Sequence, residues 1–142
     1  MIDPTFQTHE EVREFLKIEL FKKMNEHGVD EITVTFDGCG DSGGIEEVLC
    51  DNKDFLKAQA TTVSVRSSWT REGPTFQADI SHNSTIQDLT EDLAYNILEQ
   101  HHGGWEINAG SFGEFKILRE EEAIKLEYNE RIEDVETYDE TY

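Results

Sequence analysis

The stretch from His101 to Phe115 constrains the fold of this chain more than any other part of its sequence. It holds four of the ten glycines, interleaved with Trp105 and two phenylalanines. Glycine allows a positive φ and a close approach by a neighbouring segment, while the aromatic side chains give the backbone an anchor. This mixture predicts a shaped loop between a helix and a strand, and not a flexible linker.

Charge is the most unusual property of the composition. The chain has 142 residues, which suits one domain, and 32 acidic against 12 basic residues give a net charge of -20. Such a surface repels nucleic acid and anionic membranes, and it attracts cations or basic protein surfaces. We therefore expect neither direct nucleic-acid binding nor membrane binding. Solubility alone is the alternative explanation of the charge.

The sequence shows no pattern of a secretion signal or a membrane helix, so we expect a cytoplasmic protein. Residues 1–5 have neither the basic nor the apolar region of a secretion signal, and no apolar run approaches the roughly 20 residues of a membrane helix. Cys39 and Cys50 are too few for a disulfide framework and lack zinc-site spacing. We expect both thiols to be reduced and no structural zinc to be bound.

The first part of the chain predicts a helix followed by a hairpin. A capping-box pattern at Thr8–Glu11 and a C-cap glycine at Gly28 bound a helix from about Thr8 to His27. The residues Glu31–Phe36 alternate as in a half-buried strand, and Ile45–Cys50 suits its returning partner. The eight residues between these strands exceed a tight turn, so the loop carries a bulge or a function.

The middle of the chain predicts a second hairpin and a second helix. Residues 51–60 suit a loop or one helical turn, and Thr61–Ser68 and Thr75–Ile80 suit paired strands. A loop at His82-Asn83 then leads to a capping-box pattern at Ser84–Gln87, and the helix ends at His101–Gly103. Its predicted buried residues recur at helical spacing and are Ile86, Leu89, Leu93, Ile97 and Leu98.

The last part of the chain predicts two more strands and a tail. Phe115–Leu118 and Ala123–Tyr128 suit strands, and residues 130–142 suit an edge strand or a disordered end, with the acidic composition favouring disorder. The whole order predicts a single α+β domain over residues 1–129, with a mostly antiparallel sheet of about five to six strands. Two helices would pack on one face of that sheet.

The first glycine-rich loop offers candidate ligands for a cation. Asp37, Asp41, Glu46 and Glu47 cluster here, and the first three are the candidate ligands for a divalent ion. An EF-hand register fails at Ser42 and Val48. The alternative is that the aspartates accept hydrogen bonds from loop amides. The protease-like string around Ser42 has too little chain before it to supply the histidine and aspartate of a catalytic triad.

The second glycine-rich loop offers a weaker set of candidates. Adjacent histidines at His101 and His102 point about 100° apart on a helix and chelate poorly together, whereas a histidine there suits the helix dipole. Glu106 and Glu114 could pair as acid and base, but the sequence assigns no catalytic residue. The candidates for a ligand or metal site are Asp37, Asp41, Ser42, Glu46, Trp105, Glu106, Asn108 and Glu114.

Three motifs in combination resemble an uncharacterised family, a domain of unknown function found in bacteria, plasmids and phages. They are the DGCGDSGGIE stretch from Asp37, the HGGWEINAGSFGEF stretch from His102 and the YNER stretch from Tyr128. The resemblance covers nearly the whole chain. It implies a cytosolic single-domain protein, often from a mobile element, and it implies no activity.

Three functions remain open from the sequence, and the third is a structural component of a larger assembly. The first is an accessory protein that binds a basic, nucleic-acid-binding surface of a host protein, since carboxylates compete for Lys and Arg. The second is an enzyme or ligand-binding protein whose site requires the two glycine-rich loops to meet. We expect binding, because the acids are spread along the chain. The candidates for protein binding are Glu120, Glu121, Glu122, Glu130, Glu133, Asp134, Glu136, Asp139 and Glu140.

Overall fold

The structure is a computed structural model that describes residues 6–39, 42–71, 73–101, 111–131 and 135–142. In these ranges the chain forms three helices and seven strands, which confirms the predicted α+β class. The elements in chain order are α1 (His9–His27), β1 (Glu31–Cys39), β2 (Ser42–Cys50), α2 (Lys53–Lys57), β3 (Gln59–Thr70), β4 (Gly73–Thr85), α3 (Ile86–His101), β5 (Ser111–Leu118), β6 (Ala123–Arg131) and β7 (Val135–Thr141).

The described strands form two antiparallel sheets. The larger sheet has the order β2-β1-β5-β6-β7, and β3 and β4 form a separate two-stranded sheet. The mostly antiparallel arrangement is therefore as predicted, with the second hairpin standing apart from the five-stranded sheet. The β3 strand contacts both long helices, α1 and α3.

The ends of α1 follow the predicted capping residues. The Thr8 hydroxyl accepts a hydrogen bond from the Glu11 N–H at 3.1 Å, and the Glu11 carboxylate accepts one from the Gln7 N–H at 2.9 Å. Gly28 has a φ of 68° and donates its N–H to the Met24 carbonyl. Since a side chain disfavours this left-handed conformation, glycine ends the helix here, and the predicted span is confirmed.

The start of α3 lies one residue later than the predicted capping box. The Thr85 hydroxyl accepts from the Asp88 N–H at 3.2 Å, and the Asp88 carboxylate accepts from the Thr85 N–H at 3.1 Å. The Ser84 hydroxyl is used elsewhere, because it donates to the Ser81 hydroxyl at 2.9 Å. The predicted loop at residues 82–83 was wrong, since β4 continues to Thr85 and joins α3 directly.

The first hairpin has a much shorter connection than predicted. Pairing continues to Cys39 opposite Ser42, so that only residues 40 and 41 separate the strands. A bulge is present, but it lies between Thr35 and Phe36, within the paired strands and not in the predicted loop. Gly44 lies against α3: a Cβ there would be 3.3 Å from the Tyr95 hydroxyl, and the next N–H donates to that hydroxyl at 3.0 Å. Glycine therefore permits the close approach.

The end of the chain forms an edge strand, so the expectation of disorder was wrong for residues 135–141. Tyr142 continues the pairing and exchanges backbone hydrogen bonds with Ile124 at 2.8 and 3.2 Å. Its hydroxyl donates to the Glu140 carboxylate. Burial raises the pKa of Tyr142, and the hydrogen bond to Glu140 raises it further. Acidic composition alone contains no information about this pairing.

One continuous core lies between the helices and one face of the larger sheet. The predicted buried face of α3 is confirmed, since its five residues are at most 1% exposed. Within the described ranges, no helix is long and apolar enough to cross a membrane. The sheet side of the core consists of Ile32, Val34, Phe36, Phe115, Ile117, Ile124, Leu126 and Tyr128.

Candidate functional site

The second face of the larger sheet is turned away from the core. Alternate residues of a strand point to opposite faces, so the neighbours of the core residues lie on this second face. Most of them are exposed or half-buried, and Asn129 is buried. We call this surface the open face; its positions include Thr33, Thr35, Glu47, Leu49, Glu114, Lys116, Lys125, Glu127, Asp139 and Thr141.

The register of the sheet aligns four acidic residues across the open face. Thr35 of β1 is opposite Glu47 on one side and Glu114 on the other. Glu114 is opposite Glu127, and Glu127 is opposite Asp139. We call these four acids the carboxylate row. Because adjacent strands lie about 4.8 Å apart, the row extends over roughly 19 Å.

The neighbouring row contains two lysines among uncharged residues. Lys116 is directly opposite Lys125, and the Lys125 Nζ lies 3.1 Å from the Glu121 carboxylate. The open face therefore places lysine opposite lysine and acid opposite acid, although like charges directly opposite each other destabilise a sheet. A face selected only for solubility would gain stability by placing acids opposite lysines.

The carboxylate row is largely uncompensated. Among the residues that the structure describes, no Lys, Arg or His forms an ion pair with its four acids. Glu127 accepts a hydrogen bond from the Asn129 amide at 3.4 Å. A depression of about 330 Å³ lies beside the row and is lined by both lysines, Glu114, Glu127 and Asp139. This arrangement can accept several cationic groups at once.

The two glycine-rich stretches lie side by side in the sheet. Asp37 is opposite Gly44 in β2 and Phe112 in β5. Asp37 shares the open face with Glu114 as a diagonal neighbour, and such neighbours are about 7–8 Å apart. The contact that the ligand-site hypothesis requires is therefore present in the described part of both stretches.

The remaining ligand candidates are less well placed or lie outside the described residues. Glu46 is exposed and is the extra residue at the bulge. Ser42 begins β2, but its side chain is not among the parts that the structure describes. Asp41, Trp105, Glu106 and Asn108 lie outside the described residues. In the ranges that the structure covers, no three His, Cys, Asp or Glu side chains come together as metal ligands.

The candidates for protein binding fall in different places. Glu120, Glu121 and Glu122 form an exposed turn between β5 and β6, which we call the glutamate turn. Asp139 belongs to the carboxylate row, whereas Glu140 lies on the opposite face beside Tyr142. The backbones of Glu130 and Glu136 are paired, but their side chains are outside the description, and so are Glu133 and Asp134.

Sequence reasoning missed one member of the carboxylate row and assigned another to a different cluster. Glu127 lies between the core residues Leu126 and Tyr128, and this alternation places it on the outer face. Glu47 was grouped with the acids of the first loop, because the bulge next to it obscures the alternation in β2. The pattern could have shown that Glu127 points outward, but only the register shows that it is opposite Glu114.

Comparison of the sequence with known families gives one match. Residues 12–142 match a family of unknown function, DUF6878. The chain belongs to this family. No curated protein and no solved structure matches the chain. The DUF6878 match includes every strand of the five-stranded sheet, so the carboxylate row lies within the family region.

Proposed function

We propose that the chain is a protein-binding domain whose open face docks against a basic surface of a partner protein. The carboxylate row carries this proposal. Its acids come from four different strands and are aligned by the register of the sheet. A rigid sheet fixes their spacing, so little conformational entropy is lost when they bind a set of cationic side chains.

The partner has Lys and Arg side chains arranged to contact an extended anion. Carboxylates form charge-assisted hydrogen bonds with the same side chains that bind phosphate. The partner surface is therefore of the kind that binds nucleic acid, and the domain acts as a nucleic-acid mimic or inhibitor. The net charge of -20 accelerates the encounter by steering. The mobile-element origin and the cytoplasmic location stay predictions.

A second candidate function is supported by the contact between the two glycine-rich stretches. Asp37, Glu46 and Glu114 would then hold a small ligand at the hairpin end of the sheet. Glu114 serves both functions, so a variant of Glu114 alone does not separate them. Asp37→Asn separates them, because Asp37 is outside the carboxylate row.

The test compares two triple variants that remove the same charge. The row variant carries Glu114→Gln, Glu127→Gln and Asp139→Asn, and the turn variant carries Glu120→Gln, Glu121→Gln and Glu122→Gln. A labelled decalysine peptide is titrated with each protein, and fluorescence anisotropy gives Kd at 50 and 200 mM NaCl. We expect the row variant to weaken binding by about tenfold and the turn variant by less than about threefold, since exposed single charges contribute little.

Equal losses in the two variants would show that only bulk charge matters and would contradict the proposal. A larger loss in the turn variant would place the binding surface at the end of the sheet. A loss with Asp37→Asn as large as that of the row variant would favour the small-ligand function. A DNA duplex should neither bind the wild-type protein nor reduce the protein's own stability, but it should compete for the peptide.

A further inference from the structure

The two edges of the five-stranded sheet differ in what covers them. At the β2 edge, α2 and α3 both contact the strand, and the Ile45 N–H donates to the Tyr95 hydroxyl at 3.0 Å. At the β7 edge, the only described element that makes more than isolated contacts with the strand is its neighbour β6. Within the described ranges, β7 is therefore the uncovered edge of this sheet.

The register of β7 shows which of its backbone groups point outward. Ile124 and Tyr142 exchange both of their backbone hydrogen bonds. Such pairs alternate along an antiparallel ladder with pairs that exchange none. The regular register therefore turns the N–H and C=O groups of Thr141, Asp139 and Thr137 away from β6. No described strand lies on that outer side to pair with them.

The same three residues belong to the open face. Their side chains are exposed, and Asp139 is the last member of the carboxylate row. Asp139 and Thr141 also line the depression beside the row. A strand paired with β7 would place one of its side chains directly opposite Asp139, where a positive charge stabilises the pairing. A lysine or arginine at that position would continue the row with the opposite charge.

The charge of the β7 edge selects the strand that can pair with it. Proteins commonly protect an exposed edge with charged side chains, and here they are acidic, with Asp139 on the open face and Glu140 on the other. A second copy would bring the same acids against each other, and each copy carries a net charge of -20. The complementary strand is a basic one.

We propose that the β7 edge binds an extended basic segment of the partner protein as a sixth, antiparallel strand. This inference rests on the proposed function, because it names the part of the partner that the open face binds. The segment exchanges backbone hydrogen bonds with Thr137, Asp139 and Thr141, and its side chains on the open face are lysine or arginine. In strand addition of this kind, main-chain hydrogen bonds give affinity and alternate side chains give specificity.

The probe is a fluorescently labelled heptapeptide, Thr-Lys-Val-Lys-Val-Lys-Thr, which has the seven residues of β7. A residue opposite Asp139 exchanges both backbone hydrogen bonds with it, so the lysine N–H groups point at β7 and the other N–H groups point away. The inner-methylated peptide carries N-methyl groups on its three lysine nitrogens. The outer-methylated peptide carries them on the two valines and the last threonine, and has the same composition and charge.

Fluorescence anisotropy at 50 mM NaCl gives the Kd of each peptide. We expect the inner-methylated peptide to bind at least about tenfold more weakly than the outer-methylated one, since it loses three main-chain hydrogen bonds. Equal Kd values would show that the peptide lies across the open face through its side chains alone and would overturn strand addition. The reverse order would turn the lysines away from the row and would overturn it as well.

The row variant distinguishes a failure of this inference from a failure of the proposed function. If the two methylated peptides bind equally but the row variant weakens both, the proposed function stands and strand addition fails. If the methylated peptides differ as expected but the row variant binds them as the wild type does, strand addition stands and the carboxylate row is not the docking surface.

A pair of protein variants tests the edge from the other side. Thr141→Pro removes an outward N–H and keeps the pairing with β6, because proline is tolerated where the N–H of an edge strand faces solvent. Thr141→Val loses the hydroxyl but keeps the N–H. We expect the proline variant to weaken binding of the unmethylated peptide by about fivefold and the valine variant by less than about twofold. Equal effects would contradict the proposal.

Amide hydrogen exchange measured by NMR locates the added strand directly. Saturating peptide should slow exchange of the outward amides of Thr137, Asp139 and Thr141 by about tenfold, and those of Tyr138 and Glu140, which point at β6, should change by less than about twofold. Unchanged exchange of the outward amides would overturn the proposal. So would protection of these amides that rises with protein concentration in the absence of peptide, because a second copy would then occupy the edge.

Discussion

The two faces of the five-stranded sheet use the same strands and the same register for opposite purposes. On one face Phe115 and Leu126 are paired, and both are 1% exposed. One residue further on, Lys116 and Lys125 are paired on the other face, and both are exposed. The core face packs apolar side chains against the helices, whereas the open face places like charges opposite each other.

The two faces therefore contribute differently to stability: the core face stabilises the fold, whereas the open face is available to a partner. The core face gains stability from each pair, since apolar burial contributes roughly 25 cal/mol per Å². The open face loses stability from each pair of like charges. A costly arrangement on a rigid support is typical of a surface that is completed by a partner.

The largest difference is expected between neighbouring substitutions on the two faces. Phe115→Ala should lower the free energy of unfolding by about 3–5 kcal/mol, because it leaves a cavity between Phe36 and the helices. Lys116→Ala should change it by less than about 0.5 kcal/mol. Urea unfolding followed by circular dichroism measures both. Similar effects of the two variants would show that the open face is buried in solution.

The next effect concerns the one glycine on the core face of β5. A Cβ on Gly113 would lie 1.9 Å from the Glu127 carbonyl oxygen and 3.1 Å from the Phe36 ring. Since backbone cannot move aside as a flexible side chain does, Gly113→Ala should cost about 1–3 kcal/mol. Gly28→Ala is the matched control and should cost about 1 kcal/mol through its positive φ alone.

An unchanged denaturant midpoint for Gly113→Ala would mean that β5 and β6 can separate without loss. In that case the register of the carboxylate row would also be loose. The glycine therefore tests the alignment of Glu114 with Glu127 as well as the packing of the core.

The sequence predicts the elements of this fold better than their arrangement. The capping residue Thr8 and the C-cap glycine Gly28 act within a few residues of the helix ends, so their patterns are visible locally. The pairing of β1 with β5 joins residues about eighty positions apart, and no local pattern contains it. The separation of β3 and β4 into their own sheet is non-local for the same reason.

The candidate site was even harder to predict from local sequence patterns than the strand arrangement. The glutamate turn is obvious in the sequence as three consecutive acids, yet one of them is paired with Lys125. The carboxylate row has no two members adjacent in the sequence. It could be recognised only after the strands were aligned, because the charge density along a chain and the charge density on a surface are different quantities.

The row variant should stabilise the free domain at low salt. Removing the like-charged pairs Glu114–Glu127 and Glu127–Asp139 should raise the free energy of unfolding by about 1 kcal/mol. Thermal unfolding at 20 mM and 1 M NaCl measures the effect. The gain should vanish at 1 M, where screening acts within about 3 Å. A loss of stability at low salt would instead mean that the row is already neutralised, for example by bound cations.

The smallest effect is expected for the turn variant, which removes the same number of charges from the end of the sheet. Glu121 and Lys125 are both about half exposed, and such a pair contributes between zero and about 1 kcal/mol. Loss of this pair is offset by relief of repulsion between neighbouring glutamates. We therefore expect a change of less than about 0.5 kcal/mol at either salt concentration, measured by the same thermal unfolding. If the turn variant instead matched the gain of the row variant, bulk charge would explain both. The alignment of the row would then have no energetic consequence, and the contrast between the two faces would reduce to ordinary solvation.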